Sequence, residues 1–179
     1  MIKSIKHYKN NQLFKDLLLK KTIKNVMNHP KIDKILISLT NKEVLINSNK
    51  LFIALMLLKL ISGQKPKITK AKKSIAQFKL REGKAIGCKV TLRKEMMYSL
   101  LDKIIYSILP QIIEINTKKI KSNFNSLNIG IEDLSIFSEL ENQYELLKNT
   151  QGLNITLVLK NNKSKNIPNY FFSGIKIPT

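Results

Sequence analysis

Cysteine, histidine, arginine and acidic residues are all scarce in this chain of 179 residues. The single cysteine, Cys88, excludes an intrachain disulfide framework and any multi-cysteine zinc site, and it fits a reducing compartment. Two histidines, His7 and His29, leave little for metal binding or acid–base catalysis. Long hydrophobic runs are missing too. The longest, Leu51 to Leu58, is closed by Lys59 and falls well short of the roughly 20 residues that a membrane span needs. The expectation is a soluble, intracellular, single globular domain over residues 1–179. Such a chain is long enough to bury roughly 70% of its unfolded surface without disulfides or metal.

What is present is positive charge. Thirty-two Lys and Arg stand against 12 Asp and Glu, a net charge of +20. Residues 1–94 hold 23 basic and 4 acidic residues, whereas residues 95–179 hold 9 and 8. A charge scattered for solubility would fall on both halves. A polycationic half beside a near-neutral one selects polyanions, either nucleic acid or an anionic membrane surface. Lys (30), Ile (26) and Asn (18) dominate and Arg occurs twice, at Arg81 and Arg93, which points to a very AT-rich gene. Lysine in place of arginine keeps the point charge on phosphate but gives up the bidentate fork.

Residues 5–27 read as a basic amphipathic helix carrying Leu13, Leu17 and Leu18, broken at His29-Pro30. Ile35, Ile37 and Leu39 alternate as a half-buried strand. A helix capped by Ser48 or Asn49 is expected to bury Leu51, Phe52, Leu55 and Leu58 and to end at Ser62-Gly63. Residues 64–87 form a long, exposed, hairpin-like basic loop, with Ile68, Ile75, Phe78 and Leu80 expected to anchor its ends. The chain then re-enters a sheet through Ile86, Cys88, Val90 and Leu92, with Lys89, Thr91 and Arg93 on the other face. Met97, Leu100, Leu101, Ile104, Ile105, Ile108 and Leu109 make a core-facing helical stripe that Pro110 ends or kinks. Further strands carry Leu127, Ile129 and Ile131, then Leu153, Ile155, Leu157 and Leu159. Between them Ser138-Glu139-Leu140-Glu141 has the pattern of a capping box opening a short acidic helix through Leu147. Pro168 argues against a regular helix in the tail. The order implies an α+β fold, with helices packed on one face of a largely antiparallel sheet and a long basic protruding loop.

Catalytic chemistry finds no support. Cys88 falls on the apolar face of its strand with no base nearby, which reads as a buried, inert thiol. His7 and His29 read as surface or cap residues. Glu132, Asp133, Glu139, Glu141 and Glu145 cluster without a histidine, as a solvated face or protein contact rather than a metal site. Gly83-Lys84-Ala85-Ile86-Gly87 lacks the closing Gly-Lys-Ser/Thr of a P-loop. No enzyme activity, cofactor or metal is expected. Binding is another matter, because the loop's cations can track phosphates while Thr69, Ser74 and Gln77 hydrogen-bond sugars or phosphates. Folded RNA fits better than DNA, since no helix-turn-helix or basic zipper is present. The first helix keeps a free basic protein on RNA or a membrane surface as the alternative.

The segment ISGQKPKITKAKKSIAQFKLREGKAIGCKVTLR, residues 61–93, closely resembles the signature of the ribosomal large-subunit protein five family. The likeness runs on through His7-Tyr8-Lys9, Met27 to Ile37, Lys94 to Ile113, Asn128 to Leu140 and Gly152 to Leu159. It implies a structural constituent of the large subunit that binds 5S rRNA or other large-subunit rRNA in the central protuberance, with no membrane partner. On this resemblance Asn28, Lys31, Lys34, Gln64, Lys65, Thr69, Lys89 and Arg93 would face ribosomal RNA. Lys70, Lys72, Lys73, Ser74, Gln77, Lys79 and Arg81 would reach the elbow of P-site tRNA. The near-neutral half would meet other large-subunit proteins and a small-subunit head protein, forming an intersubunit bridge. Two departures stand out. The family's first strand usually ends Asn-Met-Gly-Val-Gly, whereas this one reads Ser38-Leu39-Thr40-Asn41-Lys42, so a glycine-rich close approach to RNA is lost. In place of the family's closing helix stands IPNYFFSGIKIPT, similar to mitochondrial members. With the AT-rich composition and a start that aligns without a presequence, this points to an organelle-encoded protein of the mitochondrial ribosome. A plastid or an AT-rich bacterium is the alternative.

Overall fold

The computed structural model describes residues 13–20, 29–40, 44, 49–78, 80–111, 120–122, 125–143, 147, 152–160 and 167–177. Its helices are α1 (Phe14–Lys20), α2 (Asn49–Ser62), α3 (Lys94–Lys103) and α4 (Ile167–Gly174). The strands are β1 (Lys31–Thr40), β2 (Lys67–Lys70), β3 (Ala85–Leu92), β4 (Ile120–Ser122), β5 (Ser126–Ile131) and β6 (Leu153–Lys160). They form one sheet in the order β2-β3-β1-β6-β5-β4, within an α+β fold. The β2/β3 and β4/β5 pairs are antiparallel. Alternation set these strands: Ile35, Ile37 and Leu39 are buried on β1, and Leu153, Ile155, Leu157 and Leu159 on β6.

The chain divides into two compact units. The first comprises Met1–Ile35, Leu92–Ile129 and Thr156–Thr179. All seven stripe residues of the helix that begins with α3 are buried there. Its backbone widens to a π-turn over Ile104–Ile108, where the Leu109 N–H donates to the Ile104 carbonyl. Pro110 follows inside the helix, which continues to Gln111. Proline has no N–H to give to the preceding turn, and the π-turn absorbs that loss where a regular helix would end. His29, expected as a surface or cap residue, is 6% exposed and stands with Pro30 at the entrance to β1.

The C-terminal expectation is overturned, since Ile167–Gly174 is a helix. Pro168 lies in its first turn, where the missing N–H has no intrahelical partner to lose. A Schellman arrangement ends it. The Lys176 N–H donates to Ser173 at 2.9 Å and the Ile177 N–H to Phe172 at 3.0 Å, with Lys176 at φ +66°. Phe171 and Phe172 are buried edge-to-face, 5.9 Å apart, and Gly174 abuts Leu13, so that a Cβ there would lie 2.8 Å from its Cδ2. Of the long first helix, Phe14–Lys20 is helical with Leu13 and Leu17 buried; the rest of residues 5–27 lies outside the described residues.

The second unit comprises Leu36–Thr91 and Gly130–Ile155. Helix α2 packs on the 3₁₀ segment Ser138–Gln143 and buries Leu51, Ala54, Leu57, Leu58 and Ile61. Phe52, expected inside, is 67% exposed, and Leu55 is only half-buried. This helix is apolar nearly all round, so its periodicity does not choose a face. The expected acidic helix is 3₁₀, and the Ser138 hydroxyl meets its neighbour Glu139 at 3.5 Å. Leu147 is buried, and the residues just before it lie outside the described ones.

Backbone meets backbone closely at two glycines. A Cβ on Gly87 would sit 2.5 Å from the Leu39 carbonyl oxygen, and one on Gly152 would sit 2.5 Å from that of Ile131. Gly87→Ala is therefore expected to lower the unfolding midpoint by about 3–10 °C, because neither strand can yield to the added methyl. A thermal melt that leaves the midpoint unmoved would refute the contact. Lys176→Gly should act the other way, stabilising by about 0.5–1 kcal/mol by relieving a left-handed residue.

Candidate nucleic-acid interface

The basic segment is built as a stiff hairpin rather than a slack loop. Helix α2 stops where Gly63 turns left-handed at φ +66° and its N–H bonds the Lys59 carbonyl at 2.8 Å. The buried Ser62 hydroxyl donates to the Leu58 carbonyl at 2.6 Å, and the Gln64 N–H donates to that hydroxyl at 3.3 Å. Gln64 and Lys65 are thereby placed at the hairpin's entrance. Pro66 leads into the edge strand β2, a position where its missing N–H does not interrupt a ladder.

Strands β2 and β3 pair as Lys67↔Lys89, Ile68↔Cys88 and Thr69↔Gly87, and then slip to Lys70↔Ala85. Ile86 is the extra residue of a β-bulge, which strengthens the local twist. Beyond it the ladder is continued by Ala71, whose N–H reaches the Lys84 carbonyl at 2.9 Å and whose carbonyl accepts from Gly83 at 3.1 Å. Arg81 to Lys84 close a turn through a 3.2 Å bond, with Gly83 at φ +80°, as a type II turn requires of its third residue. At the tip, Ile75 and Leu80 exchange backbone bonds at 2.9 and 3.1 Å around the 3₁₀ turn Ala76–Phe78.

This framework displays the expected residues. Lys70, Lys72, Lys73, Ser74, Gln77 and Arg81 are all exposed on the hairpin. Lys65 and Lys89 are exposed at its base, with Gln64 and Thr69 half-buried. Lys31, Lys34 and Arg93 belong to the other unit, Lys31 and Arg93 exposed and Lys34 half-buried. Asn28 and Lys79 lie outside the described residues. From Gln64 to Lys89 there are nine cations and one carboxylate, Glu82. Lys67 and Lys89 are directly opposed across the strands, and like charges in that position repel until an anion lies between them.

The anchors differ from expectation. Ala71 is buried, whereas Ile68, Ile75 and Phe78 are 40%, 44% and 64% exposed and Leu80 is half-buried. Backbone bonding, which a hydropathy pattern does not register, has taken over the anchoring.

Alternative chemistries have little to work with. Cys88 is buried, with its thiol 3.9 Å from the Leu39 carbonyl, and burial pushes its pKa from 9.0 up to about 11. Among the described residues no group of three or more His, Cys, Asp or Glu residues could hold a metal ion, and no helix is long and apolar enough to cross a membrane.

The family model "Ribosomal protein L5" matches residues 25–81, and the model of the same ribosomal family's C-terminus matches residues 85–178. The chain belongs to the ribosomal protein L5 family. It is similar to the large ribosomal subunit protein uL5m of Reclinomonas americana, 40% identical over 151 residues, which covers 83% of this chain and 82% of that one. It is equally similar to the large ribosomal subunit protein uL5 of Blochmanniella floridana, 40% identical over 159 residues, covering 88% and 82%. The L5 role is structural rather than enzymatic. The second family match takes in helix α4, so the tail that departs in sequence still forms part of the L5 C-terminal region.

Cys88 gives a direct check on the strand register. Near pH 8 its alkylation in the folded protein should run at least about 100-fold slower than in the unfolded chain, since the thiolate is the reactive form. The neutral thiol is favoured by folding, so its contribution to stability is full below about pH 9 and is lost as pH rises through about 11. The stability gap between the parent and Cys88→Ala should shrink over that window in alkaline denaturant titrations.

Proposed function

We propose that this L5 protein is an RNA-binding structural constituent of the large subunit of a mitochondrial ribosome. It binds 5S rRNA, or the large-subunit rRNA that takes its place, in the central protuberance. Gln64, Lys65, Thr69 and Lys89 at the hairpin base, with Lys31, Lys34 and Arg93, contact that RNA. The hairpin's far end, with Lys70, Lys72, Lys73, Ser74, Gln77 and Arg81, reaches P-site tRNA. The near-neutral second half meets large-subunit proteins and a small-subunit head protein across a bridge.

The observation that carries this reading is the hairpin itself: eight described cations on a frame whose turns are closed by main-chain bonds before any ligand arrives. A pre-formed frame loses little entropy on binding, and phosphates release the repulsion between Lys67 and Lys89. Mitochondrial origin is supported by the AT-rich composition and the uL5m relative. The equally similar Blochmanniella protein favours an AT-rich bacterial ribosome as the second reading.

Two measurements test it. On high-salt gradients of lysate from the source cell or organelle, the chain should co-migrate with the large subunit. Release to the top of the gradient would reject an integral role, and the compartment whose ribosomes carry the chain settles its origin. For the purified protein, neutralising about 5–8 phosphates gives a log K against log salt slope of roughly −4 to −7. Lys72→Glu with Lys73→Glu should flatten that slope by about two and leave the circular dichroism unchanged, both side chains being exposed. An unchanged slope would remove the tip from the RNA surface.

A further inference from the structure

Cations alone explain phosphate binding, but they do not explain the apolar surface at the hairpin tip. Phe78 is 64% exposed and Ile75 is 44% exposed, on the segment with the densest positive charge in the chain. Neither side chain is needed to close the tip. Ile75 and Leu80 are joined through their backbones, and the Phe78 N–H bonds the Ile75 carbonyl at 3.3 Å. A 3₁₀ turn of three residues fixes the backbone that carries the Phe78 ring, so little backbone freedom remains to be lost on contact.

From this we infer that Phe78 is a base-stacking residue: its ring packs on an unpaired or terminal nucleobase of a folded RNA, while Lys72, Lys73 and Arg81 hold the flanking phosphates. The inference rests on the RNA-binding role proposed for the hairpin and adds to it a contact with a base. Charge complementarity selects the occupant, because an apolar protein patch gains nothing from nine neighbouring cations, whereas a nucleotide offers an anion and a flat π-face together. Gln77, exposed beside Phe78, is placed to hydrogen-bond the edge of the stacked base. An anionic membrane would also take cations and an aromatic ring. A hairpin tip with two apolar side chains, however, offers far less buried area than an amphipathic helix does.

The test uses the full-length chain and a short RNA stem-loop, unmodified or with single abasic loop positions. Phe78→Ala should weaken binding of the unmodified RNA about 5- to 150-fold while leaving the salt slope unchanged. Phe78→Tyr should bind within about threefold of the parent, whereas Phe78→Leu, apolar but without a ring, should lose nearly as much as Ala. One abasic position should weaken the parent by a similar factor and leave Phe78→Ala almost indifferent. The chain has no tryptophan, so Phe78→Trp supplies a lone indole whose fluorescence should be quenched by the stem-loop.

Parent-like affinity for Phe78→Ala, or equal affinity for the Leu and Tyr variants, would overturn the stacking role. If the Lys72/Lys73 charge reversal also leaves the slope intact, the RNA-binding reading of the tip falls with it. If that reversal flattens the slope as expected, only the Phe78 inference fails. Phe78-dependent binding to phosphatidylserine vesicles in preference to RNA would reassign the tip to a membrane surface.

Discussion

Everything the hairpin presents depends on a contact that contains no side chain. The backbone of β3 lies against β1 at Gly87, so near the Leu39 carbonyl that a single methyl group has no room. That approach lets the Cys88 thiol meet the same carbonyl and seats Val90 and Leu92 in the interior. It also fixes the strand from which the cationic tip projects. One residue further out, the Ile86 bulge increases the twist, and from there main-chain bonds replace side-chain packing.

The units divide the work differently. In the unit that holds α3 and α4, stability comes from ordinary apolar packing: the seven-residue stripe, the paired phenylalanines and a cap that closes on them. In the unit that holds the hairpin, Leu58, Ile61, Cys88, Val90 and Phe137 are packed in the same way, whereas the cationic hairpin between Thr69 and Ile86 is held mainly by hydrogen bonds and turn geometry. A polycationic surface cannot be anchored by burial without desolvating lysines, so the fold holds it by its backbone.

Periodicity made most of the architecture legible. Ile35-Ile37-Leu39, the strand of Cys88 and the Met97–Leu109 stripe could be placed because alternation and the helical repeat each admitted one face. The signature at 61–93 located the basic surface, and the charge asymmetry located it independently. The misses have specific physical causes. Hydropathy puts Phe52 inside because α2 is apolar on nearly every side. Pro168 reads as a breaker in sequence although a first helical turn accepts proline. Phe78 reads as an anchor because hydropathy cannot see that main-chain bonds close the tip. The expected loop contained its own order, written in Gly83 and Ala71 rather than in its hydrophobic residues.

Strand β2 lies at the edge of the sheet, four residues long, with a lysine at each end. Its outer row of backbone donors and acceptors is open, as on any edge, and invites a second copy of the same strand. Antiparallel self-pairing would set Lys67 of one molecule across from Lys70 of the other, twice over, with no carboxylate on the strand to relieve either meeting. The same charges that make the hairpin cationic thus also oppose edge-to-edge pairing between copies of the chain.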